Sequence, residues 1–168
     1  KPVMNYAKDH FNEVRLGYKV DKLATSGKQI QVKMTDPDGK KMTEKYDRVL
    51  VSVGRVPNSE EMGLDTTGVQ LDDKGFVKVN AKQQTDDPNI YAIGDVAGGI
   101  LLAHKASKEA RIAVQNILGD TAEFKDIVIP AVVFTSPDVA WCGLTETEAK
   151  DQGIKVQVAK FPWSASGR

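Results

Sequence analysis

Apolar and polar residues alternate in two stretches near the start of the chain, and each alternation predicts a strand with one dry and one wet face. Tyr18-Lys19-Val20-Asp21-Lys22-Leu23 is the first, and Ile30-Gln31-Val32-Lys33-Met34 is the second. Ser26-Gly27 turns between them and Pro37-Asp38-Gly39 turns after them, so an antiparallel meander is expected. Before it, Val3, Met4, Tyr6, Ala7, Phe11 and Val14 follow one helix face over residues 1–16, with Pro2 suited to a first turn. After it, Arg48-Val49-Leu50-Val51-Ser52-Val53 is apolar almost without interruption. It predicts a buried central strand that ends at Gly54.

The pattern then shortens. Gly68-Val69-Gln70-Leu71 and Phe76-Val77-Lys78-Val79 alternate around Asp72-Asp73-Lys74-Gly75 and predict a hairpin. Ile90 to Ile93 is too short for a helix, lies between turn residues, and predicts a buried strand closed by Gly94-Asp95. Ala103, Ala106, Ala110, Ala113 and Ile117 form a narrow stripe at helical spacing, with Gly119 placed as a C-terminal glycine. In the last third, Ile127-Val128-Ile129 and Val132-Val133-Phe134 are apolar, and Val139 to Gly143 returns after a turn. Thr145 and Glu148 have the spacing of a capping box, with the helix ending near Gly153, and Ile154 to Val158 alternates as a further strand. The fold class read from this order is mixed α/β.

Composition adds exclusions. The 168 residues balance 23 Lys and Arg against 23 Asp and Glu, so no nucleic-acid or acidic-lipid partner is expected. No apolar run approaches the roughly 20 residues that span a bilayer, so no membrane association is expected. Cys142 is the only cysteine, which rules out an intrachain disulfide and suits a reducing cytoplasm. No metal-ligand spacing stands out. Lys1-Pro2 at one end and Ser166-Gly167-Arg168 at the other suggest an internal piece of a longer protein.

Read alone, Gly94-Asp95 is a turn or helix-cap pair, Gly54 a turn glycine, and Val20 a core valine. Asp95 does stand at the carboxyl end of an expected strand, where ligands bind in open α/β sheets, and its carboxylate can accept hydroxyl donors. The whole run Thr85-Asp86-Asp87-Pro88-Asn89-Ile90-Tyr91-Ala92-Ile93-Gly94-Asp95 resembles the second flavin fingerprint of the pyridine nucleotide–disulfide oxidoreductases. Val53-Gly54-Arg55-Val56-Pro57-Asn58 is similar to that family's exit from the NAD domain. Leu101-Leu102-Ala103-His104-Lys105-Ala106, Pro130 to Lys150 and Phe161 to Arg168 are similar to its dihydrolipoamide-oxidising members. Leu101, where methionine is usual, and Cys142, where valine is common, depart from that pattern.

The resemblance implies part of a Rossmann-like FAD/NAD(P)-binding flavoprotein followed by the start of an α+β dimerisation domain. Residues 1–57 would close the NAD-binding domain, 58–126 would be the last part of the FAD-binding domain, and 127–168 would open the dimer interface. FAD would be held by Gly94, Asp95, Leu101, Leu102, Ala103 and His104, and NAD by Gly54 and Val20. His104 would contact the flavin or cap a helix, not act as the base. Lys105 would face solvent or pair locally, Cys142 would be a small core residue, and His10 carries no signal.

The implied reaction is oxidation of protein-bound dihydrolipoamide through FAD with reduction of NAD+. The implied state is a bacterial cytoplasmic homodimer. It would serve lipoyl domains and the acyltransferase core of 2-oxo acid dehydrogenase complexes, or the glycine cleavage system. No catalytic residue falls within these positions, because the family's redox disulfide and its His-Glu base lie elsewhere. The alternatives are another flavin disulfide reductase (mercuric reductase, glutathione reductase or soluble transhydrogenase) and a non-catalytic dimerisation module.

Overall fold

Pro2 opens helix α1 (Pro2–His10), where its missing N–H costs nothing and its fixed φ suits the first turn. The helix stops six residues short of the predicted end. Phe11 is extended and 63% exposed, and no residue of α1 is buried. A short helix with no buried face has little to extend it. This computed structural model describes residues 1–162 and 165. They form two units, Lys1–Val56 with Phe134–Asp138, and Pro57–Val133 with Val139–Arg168.

The first unit is built on the expected meander. Strands β1 (Lys19–Ser26), β2 (Gln29–Thr35) and β3 (Lys41–Tyr46) pair antiparallel in that order. Gly27 turns the first hairpin at φ +65°, and Asp36 Oδ1 accepts the N–H groups of Asp38 and Lys40 to close the second. Val32 and Met34, on one face of the central strand, are the buried residues. The register slips between Val20 and Lys22, a local bulge. Arg15 fastens the segment after α1 to the sheet. Its guanidinium donates to Glu44 at 2.7 Å and Glu13 at 2.6 Å, and lies against the sulfurs of Met34 and Met42. Hydrogen bonds from Tyr46 and then Arg15 hold the Glu44 carboxyl below its ordinary range.

The predicted central strand at Arg48–Val53 is absent. The segment is irregular, with Leu50 93% and Val53 92% exposed. A two-faced apolar run needs a paired strand and cover on both sides, and among the described residues nothing pairs with it.

The second unit is organised by side chains that mimic backbone turns. Asp72 Oδ1 accepts from the Lys74 and Phe76 N–H groups, and the hairpin behind it is reduced to one bridge, Leu71 with Val77. Asn80 Oδ1 repeats the device on Lys82 and Gln84. Val69, Val77 and Ala92 form the core, flanked by Leu64, Val79, Ile90, Val96 and Ala97. The predicted strand at Ile90–Ile93 is an extended segment with a single bridge, Gln84 to Tyr91, and Ile93 is 37% exposed. The chain turns into a 3-10 helix at Gly94, so no ladder forms beyond that bridge.

Helix α2 (Ala103–Ile117) follows, then the two-stranded pair β4 (Ala131–Val133) and β5 (Val139–Trp141), then helix α3 (Glu146–Asp151). The capping box is present in full: Thr145 Oγ1 accepts the Glu148 N–H, and Glu148 accepts the Thr145 N–H. Two expectations fail in this region. Cys142 is exposed beyond the end of β5, and Ile154–Val158 is exposed and irregular. Each needs a neighbouring layer that alternation alone does not supply. Most of the Phe161–Arg168 resemblance lies outside the described residues.

Candidate functional site

Thr85 sets the approach to the site. Its hydroxyl donates to the Ile90 carbonyl at 2.9 Å and accepts the Asp87 N–H at 3.1 Å, which pins the Asp86–Asn89 turn. The chain then runs to Gly94, where a 3-10 helix begins (Gly94–Ala97) with Asp95 exposed in its first turn. Gly94 has φ +76°, and a Cβ there would stand 3.2 Å from the Ala106 Cβ. Both conditions call for glycine. Gly98 also has positive φ, and a Cβ there would stand 3.2 Å from the Phe76 Cγ.

The start of α2 carries no side-chain cap, and Leu102 is its N-cap. The first N–H groups of any helix lack an intrahelical acceptor and carry about half a positive charge between them. Ala103 and His104 stand in this first turn and are exposed; Leu101 and Leu102 are half-buried. The His104 side chain is already engaged: Nε2 donates to the Pro130 carbonyl at 2.6 Å. The carbonyl can only accept, so the tautomer is fixed and this nitrogen is occupied.

Two buried charges join the turn to the helix. Lys105 Nζ donates to the Gly94 carbonyl at 3.1 Å, to the Gly98 carbonyl at 2.6 Å and to Glu109 Oε1 at 2.9 Å. Glu109 Oε2 accepts the Gly94 N–H at 2.7 Å. All three ammonium protons and both carboxylate oxygens are therefore used. The expected alanine stripe is displaced to match. Lys105, Glu109, Ile112 and Ala113 are the buried residues of α2, while Ala103 and Ile117 are exposed. Of the two readings of Lys105, the local ion pair holds and solvent exposure does not. Glu109 escaped sequence reasoning, although its i, i+4 spacing from Lys105 on an alanine-rich face was the signal.

Gly94, Asp95 and Leu101–His104 thus belong to one turn-and-helix assembly in the second unit. Val20 and Gly54 belong to the first unit. Val20 pairs with Met34 in the meander and is 59% exposed. Gly54 is exposed, at φ +132°, with nothing within 4 Å of a built Cβ. Among the described residues no group of three or more His, Cys, Asp or Glu could hold a metal, and no helix is long and apolar enough to cross a membrane.

Comparison with known proteins gives the family. The family model "Pyridine nucleotide-disulphide oxidoreductase" matches residues 2–110, and its dimerisation domain matches 129–168. The chain is 42% identical over 161 residues to dihydrolipoyl dehydrogenase of Vibrio cholerae, covering 96% of this chain and 34% of the relative. It is 52% identical over 122 residues to dihydrolipoyl dehydrogenase of Thermus scotoductus, covering 73% and 26%. Among solved structures, LpdA from Mycobacterium tuberculosis aligns with TM-score 0.74 and 27% identity, over 89% of this chain and 32% of that one. The HOCl-induced flavoprotein disulfide reductase RclA from Escherichia coli aligns with TM-score 0.74 and 26% identity, over 88% and 33%. The chain spans about a third or less of the relatives it matches. By sequence and by fold, the chain belongs to the pyridine nucleotide-disulphide oxidoreductase family.

Proposed function

We propose that this chain is the middle of a flavoprotein that oxidises protein-bound dihydrolipoamide and reduces NAD+. One observation carries the reading. The Gly94-Asp95 turn presents a carboxylate next to a helix start that no side chain caps. FAD, when bound, supplies the two-electron chemistry that links a dithiol to NAD+.

The residues present suit that group. Asp95 accepts hydrogen bonds from a polyol chain, as an exposed carboxylate can. The N–H groups of Ala103 and His104, with the backbone at Leu101 and Leu102, offer partial positive charge to an electron-rich carbonyl edge. Gly94 admits no side chain, so the turn stays close to α2. Gly54 leaves room for a dinucleotide to approach the backbone, and Val20 gives apolar contact. The redox disulfide and the base are assigned to other parts of the parent.

The domain division proposed is 1–57 for the NAD-binding part, 58–126 for the FAD-binding part and 127–168 for the dimer interface. The match of 129–168 to a dimerisation domain supports a homodimer. Lipoyl domains and the acyltransferase core of a 2-oxo acid dehydrogenase complex, or the glycine cleavage system, are the proposed partners. The bacterial origin of the relatives supports a bacterial, cytoplasmic parent.

The test is a substrate panel on the full-length parent. NAD+ reduction with dihydrolipoamide, exceeding by orders of magnitude any reduction of mercuric ion or oxidised glutathione by NADPH, supports the reading. The reverse preference assigns the chain to another branch of the family.

A further inference from the structure

We propose that Lys105 and Glu109 are positioning residues for the flavin site. Together they lock Asp95 in place relative to the start of α2. The inference rests on the FAD reading above.

The pair grips the turn at both ends. At Gly94 it takes both backbone groups, the N–H through Glu109 and the carbonyl through Lys105. At Gly98 it takes the carbonyl through Lys105. Asp95 lies between Gly94 and Gly98, and Lys105 and Glu109, which hold them, stand on α2 one turn apart. The same helix begins at Ala103, so the turn and the helix start share one rigid support. Both side chains are 5% exposed, which puts the grip beyond reach of bulk water. A buried charged pair is a costly way to hold two helical segments together, since apolar residues would pack there without desolvation. What the pair adds is direction. Three hydrogen bonds to backbone groups fix the rotation of the turn, which apolar packing does not. Both residues act on the site through the Gly94 and Gly98 backbone that carries Asp95.

The experiment is a double-mutant cycle in the full-length holoenzyme, read as the FAD dissociation constant of the apoprotein by flavin fluorescence. Glu109→Gln keeps the shape and removes the charge. Glu109→Gln is expected to weaken FAD binding about tenfold in the wild-type background and less than about twofold when Asp95→Ala is already present. Additive effects overturn the proposal, because they place Glu109 in general stability. Lys105→Met with Glu109→Leu provides a second route: it leaves the Gly94 N–H and the Gly94 and Gly98 carbonyls without these partners, so the turn loses its fixed rotation and FAD should bind about tenfold more weakly. Unchanged FAD affinity in that variant also overturns the proposal. Unchanged affinity in Asp95→Ala alone removes the FAD reading itself, and the clamp with it. The two failures are thereby distinguished.

Discussion

Lys105 Nζ lies 2.9 Å from Glu109 Oε1, one turn along α2, with both side chains almost fully buried. Charges in such a place survive only if every proton and lone pair finds a partner. Here the partners are the backbone groups of Gly94 and Gly98. Lys105→Met alone leaves an uncompensated carboxylate in the interior. It should cost about 3–5 kcal/mol, and adding Glu109→Gln, which removes the stranded charge yet can still accept the Gly94 N–H, should recover part of that loss. Urea unfolding of the two variants against the parent chain gives both numbers. Equal losses in the single and double variants would contradict the account.

Gly94→Ala should destabilise the same assembly for a different reason. Its φ of +76° is unfavourable for a side chain, and the new Cβ would meet Ala106 Cβ at 3.2 Å. The backbone part alone costs about 1–2 kcal/mol. Adding Ala106→Gly should relieve only the steric part. Thermal melts of the single and double variants separate the two contributions.

Gln83 has the opposite problem. It is 3% exposed, sits at φ +66°, and its Oε1 has no hydrogen-bond partner. An unpaired buried acceptor costs about 1–3 kcal/mol, so Gln83→Met should raise the unfolding midpoint while leaving the fold unchanged. A lower midpoint would mean that the amide is satisfied in solution.

The cap of α3 should carry a pH signature. Hydrogen bonds from the Thr145 backbone and hydroxyl lower the Glu148 carboxyl from its ordinary value of 4.5. The folded state therefore binds fewer protons than the unfolded state near that value. Its contribution is present above about pH 4.5 and fades as the pH falls through the lowered value. Amide exchange at Ala149 and Gln152, whose N–H groups bond to Thr145 and Glu148, should accelerate over that window. Thr145→Ala should weaken the cap and reduce the pH dependence to the part that the Thr145 backbone N–H supplies.

Gly54→Val in the full-length parent should weaken NAD+ binding by at least about tenfold, since a branched side chain at φ +132° disturbs the backbone proposed to lie beside the dinucleotide. FAD content should stay as it was. An unchanged Michaelis constant for NAD+ would release Gly54 from this role.

Features that depend on neighbours in sequence were legible before any coordinates. The Thr145–Glu148 box, the Asp72 turn, the paired strands β1 and β2 and the helix after Gly98-Gly99 all follow from local spacing. Their hydrogen bonds close within a few residues, so composition and order suffice. The Gly94-Asp95 turn was also legible, as part of an eleven-residue pattern.

Tertiary structure alone decided the rest. Alternation reports that a segment suits a buried face, not that another segment is there to cover it. That is why Arg48–Val53 and Ile154–Val158 are irregular and exposed where strands were expected. The buried side of α2 shows the reverse case. An apolar stripe of alanines was the natural expectation, yet Lys105 and Glu109 are the residues taken inside. Their burial is stabilised by carbonyl and N–H groups at Gly94 and Gly98, which stand several residues away in sequence and meet them only through the fold. Hydropathy ranks those two side chains as solvent-seeking, and only the satisfaction of each polar atom reverses that ranking.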